Sequence, residues 1–220
     1  MKTVLVTLSG THGTGKSTHA GRAYYLLNNS GYKFSYIRHQ DLIDPFGFIL
    51  RRTARFLGFS QTNQLERLKP VRVLWSIYFL LVYYPLLAGG IKLRRSLGYS
   101  VVADRYVYDL IVAFWGARMR TPAEHLLVWI MPRPDISFFL DADINRILSE
   151  RPEHTADFIQ TEKKLYDTLG ESFNAEKIYT GDSPTIVWKH IFTQIEQTLH
   201  KSRREQSKLR PELLVETQVS

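Results

Sequence analysis

Apolar and polar positions alternate with glycine-rich breaks in a way that predicts short strands joined by helices. Thr3 to Leu8 (TVLVTL) is a β-rich apolar run closed by Ser9-Gly10, and the stretch from Ser17 (STHAGRAYYLLNNSGY) reads as a helix ended by Asn29-Ser30-Gly31. Lys33 to Ile37 (KFSYI) follows as a short strand, which makes a βαβ unit and predicts a parallel sheet covered by helices. Tyr99 to Ala103 (YSVVA) runs into Asp104, and Ile136 to Leu140 (ISFFL) runs into Asp141; both read as buried strands. A weak last strand centres on Tyr179, before a helix from about Pro184 to Leu199. No internal repeat and no Gly/Ser linker divides the chain, so one α/β domain over residues 1–200 is the economical reading. Residues 201–220 then form a basic tail, solvated or disordered, with an interaction arm as the alternative.

One segment departs from this pattern. Val73 to Ile91 (VLWSIYFLLVYYPLLAGGI) carries no charge over a length close to that of a membrane-spanning helix. Pro85 and Gly89-Gly90 interrupt it, and Tyr78, Tyr83, Tyr84 and Ser76 dilute it. The reading adopted is a buried or dimer-forming helix; membrane contact through 73–91 is the alternative.

Composition narrows the chemistry. The 220 residues suffice for a full core, and the absence of cysteine removes disulfides and thiol nucleophiles. The seven histidines show no zinc spacing. The first residues, MKTVLVTLSG, are too short an apolar run for a signal peptide, so the expected compartment is the cytoplasm. A formal charge of +8 favours anionic partners, although Lys201, Arg203, Arg204, Lys208 and Arg210 supply part of it from the terminal stretch. No basic surface interleaved with aromatics is evident, and no nucleic-acid partner is expected.

The strongest chemical signal is Gly10-Thr11-His12-Gly13-Thr14-Gly15-Lys16-Ser17, which fits G-x-x-x-x-G-K-[ST] between a predicted strand and a predicted helix. Glycines let backbone N–H groups converge on phosphate oxygens, and the helix start adds partial positive charge. Residues 10–17 with Thr18 are the candidate ATP phosphate-binding set; Lys16 is assigned to the β/γ-phosphates and the Ser17 hydroxyl to Mg²⁺. N-K-x-D, H-R-D and D-F-G are all absent, which leaves ATP as the expected donor. Asp104-Arg105-Tyr106 follows an apolar strand. A carboxylate there suits Mg²⁺ or the attacking oxygen, and an adjacent arginine suits an acceptor phosphate.

LSGTHGTGKSTHA, VVADRYVYD and PDISFFLDADINRILSER together resemble thymidylate kinases and their relatives among the P-loop nucleoside monophosphate kinases, over most of residues 1–200. The resemblance implies a three-layer P-loop NTPase fold with a five-stranded parallel sheet and a short lid at about 146–160. It implies Mg-ATP as donor, a nucleoside monophosphate as acceptor (most simply dTMP, giving dTDP), and a homodimer. By position it makes Lys16, Asp104, Arg105 and Arg151 catalytic, with Arg146 as the rival of Arg151. Asp104 joins Ser17 at the metal, and the acceptor set is His12, Arg38, Arg72, Trp75, Arg105 and Tyr106. The chain departs from the family in carrying His12 where Asp is usual, and Arg38-His39-Gln40-Asp41 where Arg-Glu-Pro-Gly-Gly is usual. Two other readings follow from these departures and from the charge: a kinase of another small, lipid- or sugar-derived acceptor, or a nucleotide-gated binding protein with slow ATPase activity.

Overall fold

The apolar runs become five parallel strands: β1 (Leu5–Gly10), β2 (Phe34–Arg38), β3 (Ser100–Asp104), β4 (Ile136–Asp141) and β5 (Glu176–Tyr179). The computed structural model describes residues 3–38, 52, 73–74, 77–116, 123–181 and 183–216. The strand order is β2-β3-β1-β4-β5. From central β1 the chain runs out to the β2 edge, returns to β3 beside β1, and then crosses to β4 and β5 on the other side. The order therefore reverses about β1, and the crevice beyond its carboxyl end is where an open parallel sheet receives a ligand.

Helices cover both faces. On one, α1 (Lys16–Asn29) and α7 (Pro184–Glu216) bring Ala20, Ala23, Leu27, Val187, Ile191 and Ile195 against Val6, Leu8, Val102 and Phe138. On the other lie α2 (Tyr84–Ser96), α3 (Val107–Gly116), α4 (Ala123–Ile130) and α6 (Ala156–Phe173). There Tyr84, Leu87, Ile91, Ile111, Leu127 and Leu169 meet Leu5, Val101, Ala103 and Phe139. A short helix α5 (Ile144–Glu150) links β4 to α6. Every residue of β1 is buried, as expected of a central strand covered on both faces. Each fully buried Leu, Val or Ile contributes about 1.5–3 kcal/mol relative to exposure.

Two expectations change on contact with the structure. The helix predicted to stop near Leu199 continues to Glu216, so the backbone of residues 201–216 extends α7 rather than leaving it; Lys, Arg, Glu and Gln are good helix formers. Within the uncharged segment, a π-helical turn (Phe79–Tyr83) leads into α2, whose first turn holds Pro85. Proline has no N–H to donate and its ring crowds the carbonyl four residues back, which widens the preceding turn. This segment is neither wholly buried nor wholly exposed. Tyr83, Tyr84, Leu87, Ala88 and Ile91 face the core, whereas Leu81, Val82 and Leu86 face outwards. Among the described residues no helix is long and apolar enough to cross a membrane.

Candidate active site

The loop after β1 is shaped by its glycines. Gly10, Gly13 and Gly15 have φ of 136°, 74° and 76°, in the region that β-carbons disfavour. Gly15 precedes α1 as its cap, no side chain caps the first turn, and that turn holds no acidic residue. The amides at the helix start thus have no side-chain cap of their own. The loop is pinned to the sheet by Thr11 N–H, which donates to the Leu140 carbonyl at 3.2 Å. Lys16 is buried and folded back over the loop, donating from Nζ to the carbonyls of Gly10 (2.8 Å) and Thr11 (2.6 Å). Burial lowers its pKa to about 8; Asp109 opposes that shift and Arg105 adds to it. The hydroxyl of Thr14 closes the turn by donating to Thr11 O at 2.8 Å. Ser17 and Thr18 are exposed on the first turn of α1.

Asp104 ends β3 directly beside this loop, because β3 pairs in parallel with β1 and Asp104 is in register with Leu8. It is 1 % exposed, accepts a hydrogen bond from the Tyr36 hydroxyl at 2.9 Å and lies 3.4 Å from Arg38 Nε. Its other oxygen, Oδ1, is buried with no partner among the described residues. Burial pushes the Tyr36 phenol up to about 12, so it stays a donor throughout the neutral range. Arg105 adopts φ 70°, an uncommon conformation for a residue with a β-carbon, and turns the chain from β3 into α3.

A cavity of about 830 Å³ opens next to the loop, with His12, Arg105, Asp109, Phe158, Glu162 and Tyr166 in its wall. Asp109 ties three elements together: it accepts from Ser9 Oγ (2.6 Å), Tyr106 N–H (2.9 Å) and the Tyr166 hydroxyl (2.9 Å). Glu162 accepts from the His12 backbone at 3.1 Å and is 2.7 Å from His12 Nδ1. Beyond Tyr166 a smaller cavity of about 450 Å³ is lined by Thr11, Asp141, Lys163 and Lys177.

The structure brings most of the sequence-predicted residues together. Gly10 to Ser17, Asp104, Arg105 and Arg38 gather at the carboxyl ends of β1, β2 and β3. Of the two rival arginines, Arg151 lies with its Cγ 3.6 Å from where a β-carbon on Gly13 would sit, whereas Arg146 donates to the Thr180 carbonyl. Tyr106 is turned away from the cavity. The residue is 1 % exposed and its hydroxyl donates to the Pro132 carbonyl, so its side chain does not line that cavity. Arg72 and Trp75 lie outside the described residues. The sequence reading did not single out Asp109, Glu162, Ser9, Tyr36 or Tyr166. For Glu162 the signal was present: Ile159, Glu162, Tyr166 and Leu169 form a buried helical stripe in which an acid takes an apolar place.

No known protein-family model matches the chain, and no curated protein matches it.

Proposed function

We propose that this protein is an Mg-ATP-dependent P-loop kinase of a small molecule, in the manner of the thymidylate kinase-like group. The observation that carries the reading is the juxtaposition of Asp104, its Oδ1 buried and unpartnered, with a loop of three positive-φ glycines leading into an uncapped helix start. The residues present fit the groups implied. Glycines and orphan amides suit a triphosphate, and a buried carboxylate oxygen without a donor suits a cation. Ser17 and Asp104 would hold the magnesium ion, which would offset phosphate charge during transfer.

The chain's own groups supply the rest. In this reading Lys16 exchanges its two carbonyl contacts for the β- and γ-phosphates, Arg151, whose Cγ lies beside Gly13, serves the transferring phosphoryl group, and Arg105 presents a guanidinium to the acceptor cavity. The sequence resemblance by itself suggests dTMP, giving dTDP, as the acceptor and a second copy of the chain as the partner; this reading requires only a small-molecule acceptor. Purified protein with Mg-ATP and a panel of nucleoside monophosphates and other small acceptors should give acceptor-dependent ADP release. Arg105→Ala should weaken acceptor use by about tenfold or more while shifting the KM for ATP little. Lack of Mg-ATP binding, or an Arg105→Ala effect confined to ATP, would be incompatible with this reading.

A further inference from the structure

We propose that the atom phosphorylated by this protein is a hydroxyl oxygen, in an acceptor of the nucleoside, sugar or polyol class, and that the His12–Glu162 pair takes its proton. The inference rests on the phosphotransferase reading above and concerns the acceptor alone. Glu162 commits both carboxylate oxygens to one residue: Oε2 accepts from the His12 backbone N–H at 3.1 Å and Oε1 lies 2.7 Å from Nδ1. A carboxylate can only accept, so Nδ1 carries the hydrogen, and in the neutral ring it is Nε2 that has the lone pair. No hydrogen bond holds Nε2 among the described residues, and the imidazole, 35 % exposed, lies in the wall of the 830 Å³ cavity. His154 and Phe158 flank the ring, with centroids 5.0 and 6.1 Å away, and restrict its rotation.

The charges in the cavity wall point the same way. Asp109, Asp157 and Glu162 line it, against Arg105 as its one arginine among the described residues. A phosphate monoester would add about two negative charges beside the donor phosphates, and its oxygen, already ionised, needs no base. An alcohol adds no charge and does need one. In the step proposed, the acceptor O–H gives its proton to His12 Nε2 while its oxygen bonds to the γ-phosphorus of ATP. The bond from that phosphorus to the β–γ bridging oxygen breaks, ADP leaves with the electron pair, and the imidazolium, stabilised by Glu162, releases its proton to solvent.

The test uses the full chain with Mg-ATP labelled in its γ-phosphate, offered thymidine, other nucleosides, monosaccharides and polyols alongside dTMP and the other nucleoside monophosphates. The expected product is a phosphomonoester that survives hot dilute acid. His12→Ala should lower kcat by about 10²–10⁴-fold, with added imidazole restoring at least about tenfold, and His12→Gln, which keeps a hydrogen-bonding side chain, should be as impaired. An acid-labile anhydride formed on a nucleoside monophosphate overturns the hydroxyl assignment and leaves the kinase reading standing. Transfer unaffected by His12→Ala, or ATP binding without phosphorylation of any hydroxyl compound, overturns it as well. Failure to bind Mg-ATP removes the underlying reading along with it.

Discussion

Gly10 pairs with Leu140 on β4 so tightly that a β-carbon on it would sit 2.1 Å from the Leu140 carbonyl oxygen, on a φ of 136°. Gly10→Ala should therefore lose about 3–5 kcal/mol in chemical unfolding. Gly13→Ala meets only ordinary contacts, at 3.5 Å and beyond, and should lose about 1–2 kcal/mol from its positive φ while remaining folded. Lys16 sets a pH dependence of definite sign. Its folded pKa of about 8 lies below the reference 10.5, so between those values the unfolded chain holds the extra proton. The penalty on the ligand-free fold is thus complete below about pH 8 and fades as pH rises to about 10.5, so stability rises across that window. Urea unfolding of the wild type against Lys16→Met, compared at pH 7.5 and 10, should show the wild type gaining relative to the variant. At this scale the glycine loop and Asp104 were legible because their chemistry is local. Asp109 was not, because its meaning comes from Ser9 and Tyr166, distant in sequence, and a single acid at the start of an apolar helix gives no sign of such partners.

Helix α6 begins at a defined point because Thr155 accepts a hydrogen bond from Phe158 N–H at 3.3 Å and Asp157 lies in its first turn. Thr155→Ala should lower stability by about 0.5–2 kcal/mol, read by thermal unfolding, and should loosen the turn that carries His154 and Phe158 beside His12. The helix ends as cleanly, on Asn174 at φ 49°, a left-handed cap that asparagine tolerates. Elements were more legible than their ends. Strands β1, β3 and β4 are continuous apolar runs, which only burial on both faces explains. The weak strand at Tyr179 was readable mainly from its flanks, since β5 is a sheet edge with only Ile178 buried. The extent of α7 was not readable, because polar helix formers give no apolar period to follow past Leu199.

Across the whole molecule, the parallel sheet expected from the βαβ start is present with the five strands that the resemblance implied, and its reversal about β1 brings together residues that lie far apart in sequence. The uncharged segment and the rest of α2 resolve into a two-sided element: Leu87 and Ile91 are buried, and Leu81, Leu86, Leu93 and, just past the helix, Leu97 are exposed. A second copy of the chain is the partner proposed for the exposed side, and a stable pair would bury about 1,200–2,000 Å² in total. Sedimentation should find the wild type self-associated and Leu86→Glu combined with Leu93→Glu monomeric; a monomeric wild type at micromolar concentration would count against it. The carboxylate of Asp109 has a mechanical consequence. By clasping Ser9 on β1, Tyr106 ahead of α3 and Tyr166 on α6 at once, it rivets the floor and two walls of the cavity into one stiff frame. Splaying those walls apart would break at least one of the three hydrogen bonds, so the width of the cavity is tied to a single carboxylate.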